Sequence, residues 1–337
     1  MPGQIYWIAE PASAIALPKI PSGWQVLPCS SAEFLQLQVM PALLIVDQLQ
    51  MQQVTELAAH ARHSIRVLTV ADCQDEQLLP YLASYHLFYP QPLQGPALKQ
   101  LIAVAKALAA LALPADTQAQ LLACTHLPVL PPVVWQLQQL LQDPDVRIDH
   151  LAAVAEQDPV LCARLLQLAN SAYMGFQHDT ASMQMAISRL GLGLLYGVLL
   201  ALCAEPASAD GQPGSALQLA GECRRVGQWL GLDAASLEQV VLIGLFYQLG
   251  QQLLLQADPA ALQADAGQAG AFMLTLWGLQ AALSKPLLLQ QTPDVCRHDP
   301  LALCLYLARQ RLTGAVPDAA LGALLAHYGL SAHWPSA

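Results

Sequence analysis

The sequence predicts two domains of different class: an open α/β sheet over the first third of the chain and an all-helical domain behind it. Three observations carry this. Residues 1–112 alternate short apolar or β-branched runs with helical stretches, the pattern of a parallel sheet with helices on both faces. From Leu127 onward the apolar periodicity is helical only, and prolines and capping residues punctuate it. Between the two, residues 113–120 (LPADTQAQ) form a polar, proline-bearing break. The expected boundaries are 1–112 for the α/β domain, 113–118 for a linker and 119–337 for the helical domain.

In the first domain the expected strands are residues 5–8 (IYWI), 43–46 (LLIV), 66–70 (RVLTV) and 86–89 (HLFY). Helices are expected over 32–38, 53–61 and 76–84. Residues 98–111 complete the domain as a long helix with Leu101, Ile102, Ala105, Leu108 and Ala109 on one side. An open α/β sheet binds ligands outside the carboxyl ends of its strands. Glu10, Asp47 and Thr69 stand at or just past such ends.

The helical half opens on Pro128, Pro131 and Pro132, which hold the chain extended before a helix over 133–142 with Val134, Leu137 and Leu141 on its apolar face. Asp143-Pro144 ends it, and Asp149 is the expected N-cap of 151–157. Asp158-Pro159 opens the next helix, with proline in the first turn where no amide hydrogen is missed. Leu161, Leu165 and Leu168 form one stripe of that helix and Cys162, Leu166 and Ala169 the next, which predicts an interior helix. Residues 191–204 are the most apolar stretch. They fall short of the roughly 20 residues a membrane span needs, and read as a buried helix whose Gly191, Gly193 and Gly197 allow close packing. After a loop over 206–215, helices are expected over 216–230, 236–255, 269–277 and 300–311, the last capped by Asp299 with Pro300 behind it.

Composition narrows the function. Only 11% of residues are charged, against about 25% in an average soluble protein, and 14 Lys+Arg against 24 Asp+Glu give a net charge of −10. Nucleic acid needs clustered cations, and Arg224-Arg225 is the sole tight pair, so no nucleic-acid partner is expected. Eight scattered cysteines without a C-x-x-C pair predict reduced thiols and a cytoplasmic location. With no basic, apolar leader at the start, neither a signal peptide nor membrane insertion is expected.

Four motifs in order, LPVLPPVV, Asp158-Pro159, LLQLANSAYMG and AISRLG, resemble the signature of the HDOD family of bacterial signalling domains. The resemblance covers roughly residue 119 to the end, and implies an all-helical fold related to the HD phosphohydrolases. Those enzymes hold catalytic metal with a histidine, a His-Asp pair and a further aspartate. The segment LIGLFYQLGQQLLL resembles the one that carries the pair, but Tyr247 and Gln248 stand in the two positions and Gly250 alone remains. Ala266 takes the place of a further histidine, and Gln290 and Gln291 the place of two more. A phenol, an alanine and carboxamides are poor ligands for a divalent cation at a phosphate centre, so neither metal nor cofactor is expected.

The first domain is similar to the receiver domain of response regulators, a flavodoxin-like module that accepts phosphate on an aspartate. Asp47 matches the acceptor and Thr69 the hydroxyl residue after the fourth strand. Acceptance of a phosphoryl group needs Mg2+ held by carboxylates. Ile8 and Ala9 occupy the metal-holding positions beside Glu10, and Gln91 replaces the lysine that contacts the phosphoryl group. The reading is a degenerate receiver in which Asp47 is a strand-end polar residue.

No G-x-S-x-G elbow, phosphate-cradling loop or Cys–His pair is present. The two literal His-Asp pairs, His178-Asp179 and His298-Asp299, read as loop and helix cap. The expectation is a non-enzymatic signalling or scaffold protein with a pseudo-receiver, its partners being other signalling proteins, with homo-oligomerisation left open. Asn170, Ser171 and Tyr173 either present the contact surface or cap and turn the preceding helix. Two alternatives stand beside this: an HD-type phosphohydrolase or nucleotide-binding regulator, and a genuine response regulator phosphorylated on Asp47.

Overall fold

The structure, a computed structural model, describes residues 3–9, 20, 22–38, 41–47, 51–70, 81, 84–93, 95–124, 132–141, 143, 145–157, 161–162, 165–166, 169, 180–204, 215–256, 262–278, 283–291, 293–314 and 318–331. The chain divides into two compact units. One comprises Met1–Pro132 with Gln256–Gln263 and Leu276–Gly278; the other comprises Val133–Leu255, Ala264–Thr275 and Leu279–Ala337.

The first unit is built on β1 (Gly3–Ile8), β2 (Trp24–Cys29), β3 (Leu43–Asp47), β4 (Ile65–Val70) and β5 (Leu87–Pro90). All pair in parallel in the order β2-β1-β3-β4-β5, the flavodoxin-like winding. Strand β2 was not expected from the sequence. Its Pro28 lacks an amide hydrogen and breaks the apolar run, and the strand accordingly lies at the sheet edge, where proline is tolerated. Alternation sends Tyr6, Ile8, Leu44, Val46, Leu68 and Val70 to one face. There they pack with Phe34 of α1 (Ser31–Leu35) and with Val54, Leu57 and Ala58 of α2 (Met51–His60). The opposite-face residues Ile5, Leu43, Ile45 and Val67 are buried as well. The long helix α3 (Gly95–Ala110) buries Leu101, Ile102, Ala105 and Leu108 of the predicted stripe together with Leu98, whereas Ala109, expected on the same side, is exposed.

Helix α4 (Ala115–Ala123) starts inside the expected linker of 113–118 and packs with the first unit. Its last turn is tied to the sheet by Arg66, whose Nη2 donates to the Leu122 carbonyl at 3.1 Å.

The second unit holds α5 (Pro132–Leu141), α6 (Ile148–Ala155), α7 (Met183–Leu190), α8 (Leu192–Ala204), α9 (Ser215–Trp229) and α10 (Ala234–Gln256). Then come α11 (Ala266–Leu276), α12 (Ser284–Leu289), α13 (Pro293–Cys296), α14 (Pro300–Leu312) and α15 (Ala319–His327). Asp149 is not the N-cap of α6. The helix begins a residue before it, and its carboxylate instead takes two bonds from the guanidinium of Arg147. Leu161 and Leu165 of one expected stripe and Ala169 of the other are buried, with Cys162 and Leu166 partly buried; Leu168 lies outside the described residues. Close packing does hold at Gly197 of α8. A Cβ there would lie 2.2 Å from a methyl of Leu242 on α10. Asp299 caps α14 as expected, accepting from the amides of Leu301 and Ala302 with Pro300 in the first turn. Among the described residues no helix is long and apolar enough to cross a membrane.

Candidate functional site

In a sheet wound 2-1-3-4-5 the strand order reverses between β1 and β3, and ligands of such sheets bind in the crevice there. Register and alternation bring Trp7, Asp47 and Thr69 to this end on one face. Trp7 pairs with Ile45, two residues before Asp47, and Asp47 pairs with Thr69. The indole Nε1 of Trp7 donates to Asp47 Oδ1 at 3.0 Å, across the switch point itself. Thr69 Oγ1 donates to the same oxygen at 2.6 Å, and Gln91 Nε2 donates to Thr69 Oγ1 at 3.1 Å. The result is a relay of donors, Gln91 to Thr69 to Asp47, with Trp7 closing it from β1.

This arrangement orients a carboxylate but supplies no charge to balance a phosphoryl group. Ile8 and Ala9, in the positions the receiver resemblance gives to metal-holding carboxylates, are buried apolar residues. Gln91 is neutral and already engaged with Thr69. Glu10 lies outside the described residues. Trp7 was missed in the sequence, because its parity with Asp47 follows only from the register of β1 against β3.

The other end of the sheet carries Arg66 at the start of β4, almost fully buried. Its guanidinium donates to the carbonyls of Ser84 at 2.6 Å, Arg62 at 2.7 Å and Leu122 at 3.1 Å. Backbone carbonyls thus surround the charge, that of Ala61 at 3.4 Å included, and burial lowers its pKa to about 10. His86 lies beside it. Nδ1 accepts the Arg66 amide at 3.1 Å, and Nε2 lies 2.9 Å from Arg66 Nη2 and 3.1 Å from the Leu122 carbonyl oxygen. Burial, then the neighbouring guanidinium, push the His86 pKa well below its ordinary value. His60 and His63, which share a helical stretch in the sequence, part company: one bonds the Leu37 carbonyl and the other that of Ala119.

In the helical unit, four of the five positions given to metal ligands come together. Tyr247 lies on α10, Ala266 opens α11, and Gln290 and Gln291 follow α12. Gly250 lets the helices meet, since a Cβ there would stand 2.2 Å from the Ala266 carbonyl oxygen. The side chain of Gln248 lies outside the described residues. Arg309 of α14 enters this cluster with its guanidinium 4.3 Å from the centre of the Tyr247 ring. It also donates to the buried Gln290 through Nη1. Burial raises the Tyr247 phenol above its ordinary pKa, more than the guanidinium lowers it, so the ring stays protonated at neutral pH. Asp265 forms a capping box with Gln268 and takes the Gln291 carboxamide on its other oxygen.

Of the signature residues, Asp158, Pro159, Asn170, Ser171 and Tyr173 lie outside the described residues, as does His178-Asp179. His298 lines an open cleft of 490 Å3 with His327 and Tyr328. Among the described residues no three His, Cys, Asp or Glu side chains stand together as metal ligands.

The profile of the HDOD domain matches residues 127–265. Those residues form an HDOD domain. An uncharacterized protein of Treponema pallidum (strain Nichols) is 30% identical over 144 residues, covering 40% of this chain and 28% of the relative, so the chain spans little more than a quarter of that protein. Among solved structures, a Shewanella amazonensis SB2B protein provisionally named a phosphohydrolase is 21% identical, with a TM-score of 0.44 over 69% of this chain and 88% of its own. An HDOD domain protein of unknown function from Geobacter sulfurreducens is 18% identical, with a TM-score of 0.40 over 67% of this chain and 84% of its own. The HDOD domain thus follows a five-stranded parallel sheet consistent with a receiver-like module.

Proposed function

We propose that the chain is a non-enzymatic signalling or scaffold protein. Its HDOD domain works through protein contacts, and the receiver-like unit serves as an input or docking module. The observation that supports this most is the cluster at Tyr247, Gln290 and Arg309. A cationic side chain and neutral groups meet where a hydrolase needs metal and a metal-bound water. The Asp47 relay supports it from the other unit, because the carboxylate is held by an indole and a hydroxyl with a carboxamide behind them. Asn170, Ser171 and Tyr173 remain the residues proposed for contact with other signalling proteins, in the cytoplasm.

The test is turnover by the purified full chain. With bis-p-nitrophenyl phosphate or cyclic dinucleotides and added Mn2+, hydrolysis should not exceed the rate in buffer alone. Mn2+-dependent turnover that scales with protein concentration would install the phosphohydrolase reading instead.

A further inference from the structure

Tyr247, Ala266, Gln290 and Gln291 do not fit a metal centre. A phenol, a methyl group and two carboxamides already engaged elsewhere are poor ligands for a divalent ion. The nearby carboxylate, Asp265, has one oxygen on the Gln268 amide and the other on Gln291. What the cluster does contain is a cation supplied by the chain. Arg309 comes from the last turn of α14, lies over the ring of Tyr247 on α10 and bonds Gln290 at the end of α12. Guanidinium is charged at any accessible pH, stacks on aromatic faces and presents its donors in a fixed fork.

We infer that the guanidinium of Arg309 takes the place of the metal of the related hydrolases, and is the fixed cation on which α10, α12 and α14 close. A bound ion would have to displace or sit beside it, against like charge in a partly buried setting. This rests on the ligand positions given by the resemblance, and is independent of whether the chain turns over a substrate.

Thermal melting of the full chain tests it in EDTA, without additive and in excess Mn2+. The wild type should melt at the same midpoint in all three. Arg309→Met should melt about 5 °C lower, a loss that Mn2+ does not restore. Arg309→Lys should recover part of that loss, because an ammonium returns the charge without the planar fork. A wild-type midpoint that rises with Mn2+ or falls in EDTA would overturn the inference, as would Arg309→Met melting like wild type. Should Arg309→Met fail to fold, the wild-type EDTA and Mn2+ arms decide it alone. Metal binding without turnover would sink this inference while leaving the proposed function standing.

Discussion

Trp7 and Asp47 show how a single residue changes the chemistry open to a site. The indole hydrogen ends on the carboxylate at the point where a sheet of this winding would otherwise receive a ligand. Thr69, fully buried, fixes the same oxygen from β4. A hydrogen bond to a charged acceptor contributes on the order of 1.5–3 kcal/mol when removal leaves the acceptor short of a partner. Asp47 is half-exposed and water can replace part of that, so Trp7→Phe should destabilise the sheet unit by about 1–2 kcal/mol in urea unfolding. A variant within a few tenths of wild type would mean that the bond contributes nothing. Asp47, Thr69 and the missing cation at Gln91 were legible in the sequence, because strand ends and motif order place them. The Trp7 bond was not, since it needs the register of β1 against β3.

At the scale of elements, Arg66 and His86 join β4, the start of β5 and the end of α4. Their partners are carbonyls at the ends of segments, where a helix leaves acceptors unused and where positive charge is favoured. His86 carries the pH dependence. Its folded pKa is depressed, so below about 6.5 the unfolded chain takes up a proton that the folded chain refuses. Stability should therefore fall as pH drops from 7 toward 5, with a slope of up to about 1.4 kcal/mol per pH unit from this group. Urea midpoints across that range should show it, and His86→Gln should flatten the slope. Equal slopes in the two proteins would remove His86 from the account. Two elements resisted sequence reading for physical reasons. Strand β2 carries a proline that only an edge position tolerates, and α6 starts a residue before its supposed cap because Arg147 engages Asp149.

Across the whole molecule, four arginines among the described residues are engaged internally. Arg66 serves carbonyls, Arg309 serves Tyr247 and Gln290, and Arg225 and Arg311 both pair with the buried Glu222. A net charge of −10 further disfavours the gathering of phosphate. The two fold classes and most helices were readable from periodicity and punctuation. Arg309 was not, because it lies far along the chain from Tyr247 and only packing brings them together. In both units, protein groups stand where phosphoryl chemistry would need a bound metal ion. Incubation of the full chain with acetyl phosphate and Mg2+, followed by intact-mass measurement, tests it most directly at Asp47. The mass of wild type and of Asp47→Asn alike should stay unchanged. A single phosphoryl adduct on wild type that disappears in Asp47→Asn would contradict it, and make the sheet unit a switch.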